Sequence, residues 1–303
     1  MSGAIRSCGR VLVVGVAALD RIMELDVYPP EDTESRALAA RVEAGGNAGN
    51  LARVLCLLGH RAELAAVFAE EPEGRRCAEA LEAAGVGLGP SVRRPGRQPV
   101  SQVWLSRRNG TRTIVHHRDL PEYPAQALPD SSPYDWVHFE GRNVADTQRM
   151  MDRVAGTATV SVEIEKPRPG IERLWHGAGV LFFSRVYVES RGFRDPDAFL
   201  EAAAERVPEA ILVCAWGAAG AWARTPRGEL HHAPAWSPGP VVDTLGAGDT
   251  FNAGFIDARL RGLGVEEALR HAVRIAGTRC SVHGWRELAA ALAGTGLNEG
   301  ESP

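Results

Sequence analysis

The sequence predicts an α/β fold of three layers, α/β/α, with a mostly parallel central sheet. Two observations predict it. Short apolar runs alternate with helical periods along most of the 303 residues, the signature of βαβ units. The runs are short and mainly apolar, as in strands of a sheet covered on both faces. Two segments, 36–43 and 98–117, break the pattern and read as exposed strands.

In chain order, residues 11–16 form the first buried strand, with Asp20 closing the run. A helix is expected over 48–58, on Leu51, Val54, Leu55 and Leu58, with Gly59 as its C-terminal cap. A strand over 62–68 follows, then a helix over 74–84 with Leu81 inward and Gly85 as its stop. Residues 100–105, a turn at Asn109-Gly110 and residues 111–117 make a hairpin signal. Strands resume at 136–139, 159–164, 180–184 and 211–215. Helices are expected over 146–154, 197–206, 249–260 and 265–279. Beyond about Ala291 the chain is rich in Gly and Glu, and a frayed end is expected. Without a linker, repeat or low-complexity run, a single domain over 1–303 is expected.

The most informative segment runs from Asp243 through Leu245-Gly246-Ala247-Gly248-Asp249 to Gly254. Gly246 and Gly248 sit where a helix should begin, and a helix start offers spare N–H groups and the positive end of its dipole. Glycines there let a phosphate approach the backbone closely. Asp249 follows at once, placed to take a proton from a hydroxyl that attacks that phosphate. An anion cradle and a base on one segment suit phosphoryl transfer. The same residues, taken alone, also suit a loop with aspartate as N-cap.

A second cluster lies far upstream, at Gly45-Gly46-Asn47-Ala48-Gly49-Asn50. Asn47 and Asn50 share a face of the first helical turn, and each amide can both donate and accept, as sugar hydroxyls require. Asp20 sits at a strand end, where open α/β sheets place ligands. Asp32 follows the loop signal Tyr28-Pro29-Pro30-Glu31. Any one of the four suits a solvated loop or a cap; together they read as a polyol site.

Composition narrows the class. Hydrophobic content of 45% and charged content of 24% are ordinary for a globular chain. A net charge of −4 gives no broad basic footprint, which argues against nucleic acid as a partner. No apolar run reaches the length of a membrane span, and no signal-peptide core is evident. Five cysteines without C-x-x-C spacing fit free thiols in a reducing cytosol. Lys166 is the one lysine among 34 basic residues and is followed by proline, so no Gly-Lys-Ser/Thr step exists. That excludes a P-loop and the strand lysine of protein kinases.

These clusters resemble the PfkB/ribokinase family of sugar kinases, and within it the ketohexokinase branch. The resemblance spans about residues 10–285. It is carried by Ala18-Leu19-Asp20, Tyr28-Pro29 with Glu31-Asp32, the glycine–asparagine cluster, Gly110-Thr111-Arg112-Thr113 and the 243–253 segment. Glu140-Gly141-Arg142-Asn143 and Glu163-Ile164-Glu165-Lys166-Pro167-Arg168 point to ketohexokinase rather than ribokinase or adenosine kinase. The resemblance implies a ribokinase-like fold whose small sheet is a lid over the sugar. Its strands would come from about 16–25, 34–43, 98–105 and 111–118. It implies a homodimer whose lids interlock as a β-clasp. It implies Asp249 as base, Gly246, Ala247 and Gly248 as anion hole, and Arg112 steadying the phosphoryl group. Asp20, Asp32, Gly46, Asn47 and Asn50 would hold a ketose. Arg185, Trp216, Gly217, Gly220, Gly277 and Cys280, with Gly246 and Gly248, would meet ATP. Mg²⁺ is expected with the nucleotide, and a monovalent cation such as K⁺ is an option.

The chain departs from the family at Ser184-Arg185-Val186, where ketohexokinases commonly carry Ser-Lys-Asp. Arg185 keeps the charge; Val186 removes an acid near the expected metal path, and no metal ligand is assigned. Gly85-Val86-Gly87-Leu88-Gly89 resembles a dinucleotide fingerprint but ends a helix and reads as a turn. His116-His117 and His231-His232 are adjacent pairs on opposite strand faces, poorly placed to chelate. Glu163 and Glu165 read either as a salt-bridging pair or as acids that order metal waters.

Overall fold

A computed structural model describes residues 8–108 and 110–294. In its first half the chain forms β1 (Arg10–Val14), β2 (Ala18–Leu25), β3 (Ala39–Gly45), α1 (Asn47–Leu57), β4 (Arg61–Ala65), β5 (Val67–Ala69), α2 (Pro72–Glu82), β6 (Val92–Arg94), β7 (Val100–Ser106) and β8 (Arg112–His117). Then come β9 (Trp136–Glu140), α3 (Val144–Val154), β10 (Thr159–Ile164), β11 (Val180–Ser184), α4 (Arg185–Ser190), α5 (Pro196–Ala204), β12 (Ile211–Ala215), β13 (Ala221–Arg224) and β14 (Leu230–Ala233). Helices α6 (Ala247–Leu260), α7 (Val265–Cys280) and α8 (Gly284–Gly294) follow.

The main sheet has eight strands in the order β14-β13-β12-β11-β10-β9-β1-β4. The six from β12 to β4 are parallel; at one edge β13 pairs antiparallel with β12, and β14 antiparallel with β13. The two-residue period of a strand splits each apolar run between two cores. In β1, Val11 and Val13 join a core under α1, α2, α6, α7 and α8. Leu12 and Val14 join the opposite core, with α3, α4 and α5. This is the expected α/β/α sandwich.

A four-stranded sheet in the order β3-β2-β7-β8 stands beside the main one. Ile22, Val103 and Leu105 from one of its faces pack on Leu245. Strand register puts Asp20, Ser101, Arg112 and Ile114 on that same face. The small sheet therefore leans over the loop that leads into α6.

Several expectations shift. The strand over 62–68 divides at Ala66, whose N–H turns to Ser91 and whose carbonyl accepts from Val92. The chain leaves the main sheet there and pairs β5 with β6. The first strand ends at Val14 rather than 16, and β3 occupies 39–45 rather than 36–43. Helices α4 and α8 and the β13–β14 hairpin were not anticipated. Each is short or marked by mixed polarity. The turn at Asn109 lies outside the described residues, as does most of the tail, although α8 continues through Gly294.

Candidate active site

Helix α6 opens at Gly246, which has φ +72° and no side-chain cap. A side chain there would meet the Trp285 ring, with Cη2 at 2.7 Å from the added Cβ. Gly248 differs: a Cβ would meet nothing within 4 Å. The first turn of α6 offers backbone donors and the positive end of its dipole, although the Ala247 N–H, expected in the anion hole, already donates to the Thr244 carbonyl at 3.3 Å.

Asp249 lies in that turn and is 8% exposed. Its Oδ2 accepts from Asn50 Nδ2 at 2.8 Å. Burial pushes its carboxyl up to about 7, opposed by the Asn50 hydrogen bond. Glu140 and Glu165 raise it further, and Arg112 pulls it down. A carboxylate with affinity for a proton near neutrality is what a general base needs.

Asn50 belongs to α1, which starts as abruptly as α6. Gly46 caps it with φ +83°, and a Cβ there would lie 2.4 Å from the Val16 carbonyl oxygen. Only glycine fits this crossing of α1 under the β1–β2 link. Asn47 Nδ2 donates to Glu163 Oε2 at 3.0 Å, and Asn252 Nδ2 donates to Glu163 Oε1 at 3.1 Å. Asn50 Oδ1 is buried and unpartnered among the described residues. An orphaned acceptor beside a base suits a substrate hydroxyl, which can donate to it.

Asp20 is buried on the inner face of β2. Burial raises its carboxyl to about 6; a Ser101 hydrogen bond and Arg53 lower it, and Glu43 raises it. Gly45 makes room for it, since a Cβ would fall 2.0 Å from Asp20 Oδ2. Asp32 sits apart, exposed in the β2–β3 loop with φ 56°.

Arg112, at the start of β8, donates to Thr244 Oγ1 at 2.7 Å, and Thr244 donates to the Gly110 carbonyl at 3.0 Å. The small sheet is thereby tied to the loop that precedes α6. The fully buried Asp243 anchors that loop. It accepts from Arg279 at 2.9 Å, Arg41 at 3.1 Å and the Leu245 N–H at 2.9 Å. The guanidinium groups of Arg53, at 5.0 Å, and Arg279, at 4.9 Å, lie over the Trp285 ring of α8.

On the expected nucleotide side, Arg185 stacks over Trp216 at 5.2 Å and pairs with Glu189 at 2.7 Å. Gly217 and Gly220 have φ +60° and +97° in the turn entering β13. A Cβ on Gly220 would sit 2.1 Å from the Ala233 carbonyl oxygen, and one on Gly277 1.9 Å from that of Trp236. Both glycines therefore serve close backbone packing. The Cys280 carbonyl accepts from the Val242 and Asp243 N–H groups, which joins the end of α7 to the α6 loop.

Among the described residues no group of three or more His, Cys, Asp or Glu is arranged to hold a metal. The histidine pairs are dispersed: His116 bonds Ser101, and His232 stacks on Trp222. Sequence reasoning left Glu140, Thr244 and Trp285 out of the site. Glu140 was within reach, because it ends a recognised strand. Thr244 and Trp285 act through contacts that only the fold creates. Glu163 and Glu165 also part company: Glu165 pairs with Lys166 at 3.3 Å, whereas Glu163 takes two amides.

The profile of the pfkB family carbohydrate kinases matches residues 10–290. Ketohexokinase of Mus musculus is 36% identical over 290 residues, covering 91% of this chain and 97% of that protein. An ATP-dependent ribose-1-phosphate kinase of Halopiger xanaduensis is 29% identical over 87% of this chain and 89% of its own. Among solved structures, a putative ribokinase from Agrobacterium tumefaciens superposes with a TM-score of 0.84 at 23% identity, covering 94% of this chain and 98% of that one. With a ribokinase-like fold, a glycine-opened helix and a buried aspartate at its mouth, the chain belongs to the pfkB family of carbohydrate kinases.

Proposed function

We propose that this carbohydrate kinase is an ATP-dependent ketohexokinase that phosphorylates a ketohexose, D-fructose foremost, at its C1 hydroxyl. The observation that carries the reading is the 2.8 Å bond between Asn50 and Asp249. It joins the polyol cluster to the base, 199 residues apart in sequence.

In this reading Asn47, Asn50 and Asp20 hold the sugar hydroxyls, and Gly46 lets α1 approach closely. Asp32 closes the sugar side from its loop. Asp249 Oδ takes the proton of the C1 hydroxyl as its oxygen attacks the γ-phosphorus of ATP in line, and ADP leaves. The N–H groups of Gly246, Ala247 and Gly248 receive the charge that builds on the transferring oxygens. Such a donor typically contributes about 3–4 kcal/mol of barrier lowering. Arg112, held by Thr244, steadies the same oxygens from the small sheet. Arg185, Trp216, Gly217, Gly220, Gly277 and Cys280 line the nucleotide side. Mg²⁺ would neutralise phosphate charge, carried by the phosphates and water rather than by a protein cage.

The outer face of the small sheet exposes Met23, Val42 and Val115 at 38–58%. Large apolar side chains on an open sheet face favour a homodimer through the lids. Five free cysteines, two of them buried, support a reducing compartment, the cytosol.

A second reading is a pfkB kinase for another sugar, a sugar phosphate or a nucleoside; the resemblance to a ribose-1-phosphate kinase favours keeping it. Val186 favours a third, a sugar-binding relative with impaired catalysis. Coupled ADP release over ketoses, aldoses, ribose 1-phosphate and nucleosides separates all three. Phosphorus NMR of the product distinguishes C1 from C6. Highest kcat/KM for a ketohexose with a C1 phosphate is expected; preference for an aldose or a nucleoside contradicts the proposal.

A further inference from the structure

The reaction described above leaves Glu163 without a role. It lies in β10 directly across the ladder from Glu140 of β9, and both are buried. Like charges on adjacent strands repel, and burial makes the cost larger. Among the described residues Glu163 makes no ion pair. Its two oxygens instead accept from Asn47 of α1 and Asn252 of α6, at 3.0 and 3.1 Å.

Those two amides are not arbitrary. Asn47 lies three residues before Asn50, and Asn252 three residues after Asp249, so each pair shares a helix face. Two rungs therefore join α1 to α6. One is the direct Asn50–Asp249 bond. The other runs from Asn47 through Glu163 to Asn252, fixed to the sheet by β10.

We propose that Glu163 is a positioning residue for the transfer: by accepting from Asn47 and Asn252 it holds the facing ends of α1 and α6, and with them Asn50 and Asp249, in register. This rests on Asp249 being the base. The groups facing the pair are Glu140 from β9, Glu165 beyond β10, Arg112 from β8, Asn47 and Asn50 from α1, and Asn252 from α6. Two of them are acids and one is a cation. Burial and the Asp249 charge hold the Glu163 carboxyl well above the usual range, against the Asn47 bond. Glutamine cannot replace it, because its end offers one acceptor where two amide donors wait.

The test compares kcat and KM, on the best sugar of the panel, for the wild type, Glu163→Gln, Glu163→Asp, Asn252→Ala and the Glu163→Gln/Asn252→Ala double variant. Each single variant breaks the same bridge, so kcat should fall about tenfold with the sugar KM within a few-fold of wild type. The double variant should lose little more than either single variant, because residues that act through one contact are not additive. Losses that multiply in the double variant, or a wild-type kcat in Glu163→Gln, overturn the proposal. If Glu163→Gln fails to fold, Asn252→Ala decides, and a wild-type kcat there overturns it. A wild type that turns over no sugar removes the base assignment and this role together. An active wild type with variants that match its kcat removes this role alone.

Discussion

Gly246 and Gly248 stand two residues apart in the same loop, yet alanine should affect them oppositely. At Gly246 the backbone has φ +72°, left-handed territory that costs a Cβ-bearing residue about 1–2 kcal/mol. The new methyl would also fall 2.7 Å from Trp285 Cη2 and 3.1 Å from Cζ2. The guanidinium groups of Arg53 and Arg279 both lie over that ring, and moving it aside would break those contacts. Overpacking of this kind adds about 1–3 kcal/mol. For 303 residues the entropy of unfolding is about 0.6 kcal/mol per kelvin. A combined cost of about 3 kcal/mol then lowers Tm by about 5 °C. Gly248 is helical and its Cβ direction is open. Alanine there should hold or raise Tm, since it is worth up to about 1 kcal/mol over glycine in a helix. Its methyl would nevertheless project where the phosphoryl group must lie, and kcat should fall about 100-fold, as when one oxyanion donor is lost. Thermal melts and steady-state kinetics of both variants, with the Gly246→Ala/Trp285→Ala double variant, decide the matter. The double variant should recover much of the lost Tm, because the clash is removed. A Gly246→Ala protein with wild-type Tm, or a Gly248→Ala protein with wild-type kcat, refutes the reasoning.

Other outcomes follow from the same geometry. Asp249 must be ionised to act, so with its carboxyl near 7 wild-type kcat/KM at pH 6 should be about one-tenth of that at pH 8. A flat profile over that range would remove the buried base. Stability runs the other way: the folded carboxyl sits above its unfolded value, so ionising it disfavours the fold, and this contribution declines as pH rises from about 4 through 7. Arg112→Ala should lower kcat by at least tenfold, and Arg112→Lys should rescue it only partly, because a point charge cannot reproduce the guanidinium fork. Asp257, buried between His60, His271 and Arg261, lies outside the site. His60 accepts from the Gly9 N–H on Nδ1, so its Nε2 donates to Asp257. Asp257→Ala should cost about 3–5 kcal/mol in urea unfolding while kcat in the folded protein stays within a few-fold.

The sheet was legible because short runs rich in Val, Ile, Leu and Phe, at 136–139, 159–164, 180–184 and 211–215, are set between helical periods. The break at Ala66 was not, because a change of strand partner leaves no mark on hydrophobicity. Asn47, Asn50 and Asp249 were legible because glycine-opened helix starts are rare and carry their own chemistry. That α1 and α6 face each other was not; it follows from packing both helices on one side of the sheet. Glu163 was visible as an acid on a strand, but its two amide partners come from helices 89 and 116 residues away. Trp285 was silent, since only the fold brings α8 behind Gly246.

The most direct measurement is single-turnover phosphoryl transfer by Asp249→Asn, alongside calorimetric binding of the sugar. Turnover should drop by about 10²–10⁴-fold, with sugar affinity within a few-fold of wild type and a Tm at pH 8 no lower than wild type. A variant that keeps most of its turnover contradicts the central claim, because the carboxylate at the mouth of α6 would then not be the group that takes the proton.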